Sequence, residues 1–115
     1  MERYVALNGK YLDDADRLRG LGDHVQASEK YWGAVAEMVK AVAESRRWQH
    51  SSHRDLRNTV SRLFQETGDR DLLRLFSIAE SLHANFYEDF MQPEDVRIYA
   101  EDAHVLVEKL KQLVG

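Results

Sequence analysis

The stretch Gly22–Arg47, GDHVQASEKYWGAVAEMVKAVAESRR, decides the fold. Its apolar side chains Ala27, Tyr31, Ala34, Val35, Met38 and Val42 recur at intervals of three and four residues. That interval returns once per helical turn, so all six lie on one stripe of a long helix. Asp23 supplies an N-cap behind Gly22, and no proline interrupts the run. Alanines at 27 and 34 let a second helix approach closely, with Tyr31 filling the space between them.

The same periodicity extends in both directions. Upstream, Leu7, Tyr11, Leu12, Ala15 and Leu18 predict a first helix over about 3–19, ended by Gly20-Leu21-Gly22. Downstream, Trp48-Gln49-His50-Ser51 reads as a connector. Ser52 with Asp55 three residues on then forms a capping-box spacing that opens a third helix. Leu56, Val60, Leu63 and Phe64 line its inner face, and Gly68 stops it. A fourth helix, capped by Asp69, runs to about Phe90 with Leu72, Leu75, Phe76, Ala79, Leu82 and Phe86 inside. Pro93, followed by Glu94 and Asp95, opens a fifth with Val96, Tyr99, Ala103, Leu106, Leu110 and Leu113 inside. With short connectors and no β-branched runs, the expectation is an all-α, antiparallel up-and-down bundle of about five helices. It forms a single domain over residues 1–115.

Composition narrows the function classes. The chain has 115 residues, 43% of them apolar, and no cysteine, which excludes disulfides, thiolate metal sites and cysteine nucleophiles. The charged start and the lack of a long apolar run predict neither a secretory signal nor a membrane span, and point to the cytoplasm. A net charge of −4 argues against a general nucleic-acid coat while leaving room for a local basic patch. No phosphate-binding glycine loop, dinucleotide fingerprint or Ser/His/Asp order occurs, and no cofactor is expected.

Two clusters stand out. Arg46-Arg47-Trp48-Gln49-His50-Ser51-Ser52-His53-Arg54 gathers arginines, histidines and an indole at the corner between the second and third helices. Read functionally it is an anion or nucleotide site: Arg47, His53 and Arg54 grip phosphate, Trp48 offers a stacking face, and the helix start supplies free N–H groups. Read structurally, the arginines complement a helix C-terminus and Ser52 caps the next helix. His50 and His53 lack a carboxylate at a ligand offset, so no metal is expected. The second cluster, Leu82-His83-Ala84-Asn85-Phe86-Tyr87-Glu88-Asp89, puts His83 and Tyr87 on one face. His83 reads either as a general acid or base oriented by Tyr87 or Glu88, or, with Asn85, as a hydrogen-bonded tie between helices. Asn85 and Tyr87 join the candidate anion contacts. Trp32, beside the core stripe, is expected on a partly exposed face suited to a partner helix. His24 and His104 read as structural or solvent-facing.

The segment Gly22-Asp23-x-x-x-Ala27-x-x-x-Tyr31-x-x-Ala34 also resembles half of a tetratricopeptide unit, which would make the chain a peptide-binding scaffold. The pattern does not return about 34 residues later, where position 56 is Leu, and a solenoid needs about three units.

Three stretches together carry a wider resemblance: Ala27-Ser28-Glu29-Lys30-Tyr31-Trp32-Gly33-Ala34, Ser51-Ser52-His53-Arg54-Asp55-Leu56 and Leu82-His83-Ala84-Asn85-Phe86-Tyr87-Glu88. They resemble the archaeal PaREP family, placed with the HEPN helical-bundle superfamily. The resemblance implies a five-helix bundle that pairs as a homodimer. It also implies association with nucleotidyltransferase-like or other protein partners, with toxin–antitoxin modules and, in some branches, metal-independent RNA cleavage. Cleaving branches carry an arginine, four to six residues and a histidine. Here Arg74 precedes His83 with eight residues between, and Arg57-Asn58 is followed by Arg62 rather than a histidine. The leading expectation is therefore a non-catalytic HEPN-like module that dimerises and binds a partner protein or a nucleotide- or RNA-like anion. The alternative is a ribonuclease using His83, with His53 and Arg54 supporting it.

Overall fold

A computed structural model describes all residues, Met1–Gly115, as five helices and no strand: α1 Glu2–Gly20, α2 His24–Ser45, α3 His53–Thr67, α4 Asp71–Glu88 and α5 Pro93–Lys111. No helix is long and apolar enough to cross a membrane.

α2 is the central element, packed by all four other helices. Tyr31, Val35, Met38, Val39 and Val42 are completely buried, within a core cluster of 23 residues that draws on every helix. α1 lies antiparallel along α2: Asn8 Nδ2 donates to the Ala34 carbonyl at 2.7 Å, and the Tyr31 hydroxyl reaches Asp16 nearer the other end. The Tyr11 ring of α1 packs directly over Gly33 of α2, where an added Cβ would sit 3.2 Å from it.

Strict up-and-down alternation is interrupted at one junction. His53, at the start of α3, lies against Trp32, whereas Glu66 near its end pairs with Arg46 beyond the end of α2 at 2.6 Å. α3 therefore runs in the same sense as α2. Residues 46–52 return along α2 before α3 begins, because Arg47 takes a left-handed conformation (φ 63°) and the Trp48 N–H closes on the Ala43 carbonyl at 2.8 Å. This Schellman-type ending reverses the chain. α4 then runs back antiparallel, with His53 and Arg57 both bonded to Glu80, and α5 closes against it through Lys109 and Asp69 at 2.9 Å.

The caps follow the sequence with two shifts. Ser52 and Asp55 form the expected reciprocal capping box, and Gly68 ends α3 at φ 73°. Asp69 does not cap α4 directly: the helix starts at Asp71, and the Asp69 carboxylate accepts from the Asp71 N–H while holding Lys109. At the other end α4 stops at Glu88, so Phe90 is outside it, because Asp89 turns left-handed. Trp32 is 9% exposed and belongs to the core, contrary to the partly exposed placement expected for it. Phe64 and Phe86, expected inside, are only half-buried.

Candidate functional site

Each of three helices contributes two side chains, three or four residues apart, to one cluster. α2 brings Glu29 and Trp32, α3 brings His53 and Arg57, and α4 brings Glu80 and His83. That spacing puts each pair on one helix face. The parallel course of α3 carries its first residue back beside Trp32.

The Trp32 indole is the floor. His83 stacks on it with centroids 5.1 Å apart and planes 27° from parallel, and His53 lies tilted at 4.9 Å. The two imidazoles are 6.2 Å apart, centroid to centroid. Phe76 backs the indole at 5.7 Å, and Tyr87 meets His83 edge-on at 5.3 Å.

Each imidazole is held by a carboxylate from a different helix. His83 Nδ1 is 2.7 Å from Glu29 Oε1, and His53 Nε2 is 2.8 Å from Glu80 Oε2. Glu80 is itself fixed, accepting from Arg57 Nη2 at 3.0 Å, while Arg57 also donates to Ser77 and lies over Phe76. In a neutral imidazole these bonds set the tautomer: the carboxylate-facing nitrogen carries the proton and the other keeps its lone pair. His83 Nε2 and His53 Nδ1 have no protein partner, and the His83 nitrogen reaches solvent. The arrangement can take a proton at one ring and deliver one at the other, with Arg54 and Arg57 on the same helix to meet negative charge.

The other expected site residues lie apart from this pair. Arg47 and Trp48 line an open depression of about 820 Å³ at the α2–α3 corner with Tyr4, Lys40, Glu44 and His50. It is the largest hollow on the molecule, yet the pinned histidines are elsewhere, so acid–base chemistry belongs to the smaller cluster. The Trp48 ring, expected to offer an open stacking face, carries the Arg62 guanidinium at 3.8 Å and faces Arg46 at 5.4 Å. Asn85, expected among the anion contacts, is instead a structural tie. It is 1% exposed, its Nδ2 donates to Ser28 Oγ, and its Oδ1 accepts from the Phe90 and Met91 N–H groups. Arg54, by contrast, directly follows His53 at the start of α3 and is exposed. His104 bonds Asp16 at 3.1 Å, joining α5 to α1.

Sequence reasoning missed Glu29, Glu80, Arg57 and the role of Trp32. The signal was present as helical pairs, Glu29/Trp32, His53/Arg57 and Glu80/His83, but nothing in one dimension says that the three faces converge.

Fold and site together define a small all-α bundle with two carboxylate-anchored histidines on a buried indole. The chain belongs to the archaeal PaREP1/PaREP8 family, whose model matches residues 3–107. Among solved structures it is similar to a protein from Sulfolobus solfataricus, at 22% identity and a TM-score of 0.83, covering 95% of this chain and 97% of that one. This likeness establishes the shared fold. No curated protein matches the chain in sequence.

Proposed function

We propose that the His53–His83 cluster binds an RNA-like phosphodiester and cleaves it without a metal ion, in the manner of a HEPN-type ribonuclease. The observation that carries this reading is the pair of imidazoles 6.2 Å apart, each anchored through one nitrogen by Glu29 or Glu80 and free at the other. One histidine takes the proton of a ribose 2′-hydroxyl, and the oxygen attacks the adjacent phosphorus. The P–O5′ bond breaks as the second histidine, protonated, hands its proton to the leaving oxygen. The products are a 2′,3′-cyclic phosphate and a 5′-hydroxyl, with no change of oxidation state. Arg54 or Arg57 meets the charge that develops on the phosphoryl oxygens.

A second reading, a non-catalytic module that dimerises and holds a partner or a nucleotide, has its own support. Tyr87 and Phe90 are 71% and 54% exposed at the α4 end beside His83, an apolar surface of the kind that self-association covers.

The deciding test is incubation of purified protein with single-stranded RNA in EDTA, with sedimentation run in parallel. Cyclic-phosphate ends that vanish in His53→Ala and His83→Ala support cleavage. A dimer without any cleavage supports the second reading, and cleavage undiminished in both variants sinks the first.

A further inference from the structure

The chain carries a net charge of −4, yet Arg46–Arg62 holds five arginines and two histidines against a single acid, Asp55. Of the five arginines only Arg46 and Arg57 have carboxylate partners, Glu66 and Glu80, the latter shared with His53. Arg47, Arg54 and Arg62 are exposed without one. Such a concentration of uncompensated cations in an acidic protein is a local electrostatic footprint.

The three free arginines are also ordered in space. Arg54, Asn58 and Arg62 are all exposed and stand four residues apart, so they form one inclined row along α3. Arg54 follows His53 directly, and Arg62 lies about 12 Å further along by the helical rise. There Arg62 stacks on Trp48, which walls two hollows: a smaller one of about 200 Å³ with Asn58 and Arg62, and the corner depression with Arg47. Arg47 itself occupies a left-handed C′ position that glycine would fill without strain. A long cationic side chain thus stands where the backbone favours none, and it faces a pocket also lined by Lys40 and His50.

We infer that Arg54, Asn58, Arg62, Trp48 and Arg47 form a binding track for single-stranded RNA that leads to the His53–His83 pair; this rests on the cleavage reading above for where the strand ends. The row supplies phosphate contacts, and the guanidinium stacked on Trp48 presents a flat surface to a base. A single strand suits it because the contacts follow one line. The alternative occupant, an acidic protein segment, has charge but neither bases to stack nor a reacting atom to place at the histidines.

The test uses anisotropy of a labelled 2′-O-methyl oligouridylate of about 12 nucleotides, within the site sizes of single-strand binders. The methyl group blocks cleavage, so binding is read independently of catalysis. Wild-type affinity should fall with salt at a slope of about 0.7 per phosphate contacted, and Arg47→Gly/Arg54→Ala should reduce that slope by about 1.4. The same variant should bind about tenfold or more weakly at low salt. Arg47→Gly alone should weaken binding while its Tm holds or rises, which separates lost contacts from lost fold. Arg17→Ala/Arg97→Ala, on α1 and α5, should change nothing. Unchanged binding in the track variants, equal loss in the α1/α5 control, or the same Arg47-dependence for poly-glutamate would overturn the track. Track-dependent binding without cleavage of the unmodified strand leaves the track standing and removes the cleavage reading. His83-dependent cleavage of a ribodinucleotide with arginine-independent binding does the reverse.

Discussion

His83 lies on the face of Trp32, centroids 5.1 Å apart and planes 27° from parallel, while Glu29, three residues before that tryptophan on the same helix, holds its Nδ1 at 2.7 Å. A single helix face thus fixes both the plane and the tautomer of a histidine that belongs to another helix. Because Trp32 is a core residue, the position of the imidazole is tied to the packing of the whole bundle.

Trp32→Ala should cost about 3–5 kcal/mol, the usual range for emptying a large aromatic site. Trp32→Phe should fold, at a cost below that range, and shift the NMR signals of both His53 and His83, which rest on the indole. Imidazole signals unmoved in the phenylalanine variant would show that the carboxylates alone position the rings.

Glu29→Gln and Glu80→Gln keep shape but no longer dictate which nitrogen bears the proton. Each should lower RNA cleavage by at least about tenfold, by analogy with the loss when a carboxylate orienting a catalytic histidine is neutralised. Steady-state cleavage kinetics check this, and the change should appear in kcat with RNA affinity largely retained. Losses confined to affinity would recast both glutamates as binding groups.

Asn85→Ala should destabilise the fold by about 2–4 kcal/mol. It removes the acceptor of the part-buried Phe90 and Met91 N–H groups and one donor to the buried Ser28 hydroxyl, which keeps its own bond to the His24 carbonyl, and a lost partner costs about 1–3 kcal/mol per group at most. Urea denaturation measures it. A neutral result would mean that water replaces the amide at the end of α4.

Arg47→Gly should stabilise by about 0.5–1 kcal/mol, since glycine takes φ near 63° without the Cβ clash. Thermal denaturation should register a rise of a few degrees for a chain of this size. A fall in Tm would show that the arginine side chain contributes more to the fold than its backbone conformation costs.

The Tyr31 hydroxyl is pushed up to about 12, first by burial and then by its bond to the Asp16 carboxylate. A raised value in the folded state leaves stability intact below the ordinary value of 10.0 and removes it between 10 and about 12, where only unfolded chains ionise. Asp16 moves the opposite way: burial would raise it, but hydrogen bonds from Tyr31 and His104 outweigh that and lower it. Its contribution is present above the ordinary value of 3.8 and fades as the pH falls below it. Tyr31→Phe should therefore flatten the alkaline limb of the stability curve, weaken the acid limb and cost about 1–3 kcal/mol at neutral pH. An alkaline limb unchanged in that variant would place the transition elsewhere.

The sequence by itself determined the helices. Their number, the buried stripe of α2, the Ser52–Asp55 capping box and the Gly68 stop are local properties, fixed by spacing of three and four residues and by backbone preference. Local signals also marked both histidines as residues of interest. Tertiary structure alone decided the direction of α3, the burial of Trp32 and the meeting of Glu29, His83, Glu80 and His53. The direction of α3 depends on one left-handed residue, Arg47, in a place where sequence preference favours glycine. Reversing that turn is what brings a histidine from the start of α3 onto an indole near the start of α2. Contacts between residues 21 to 54 positions apart obey geometry across three helices, and helical periodicity carries no information about which faces will meet.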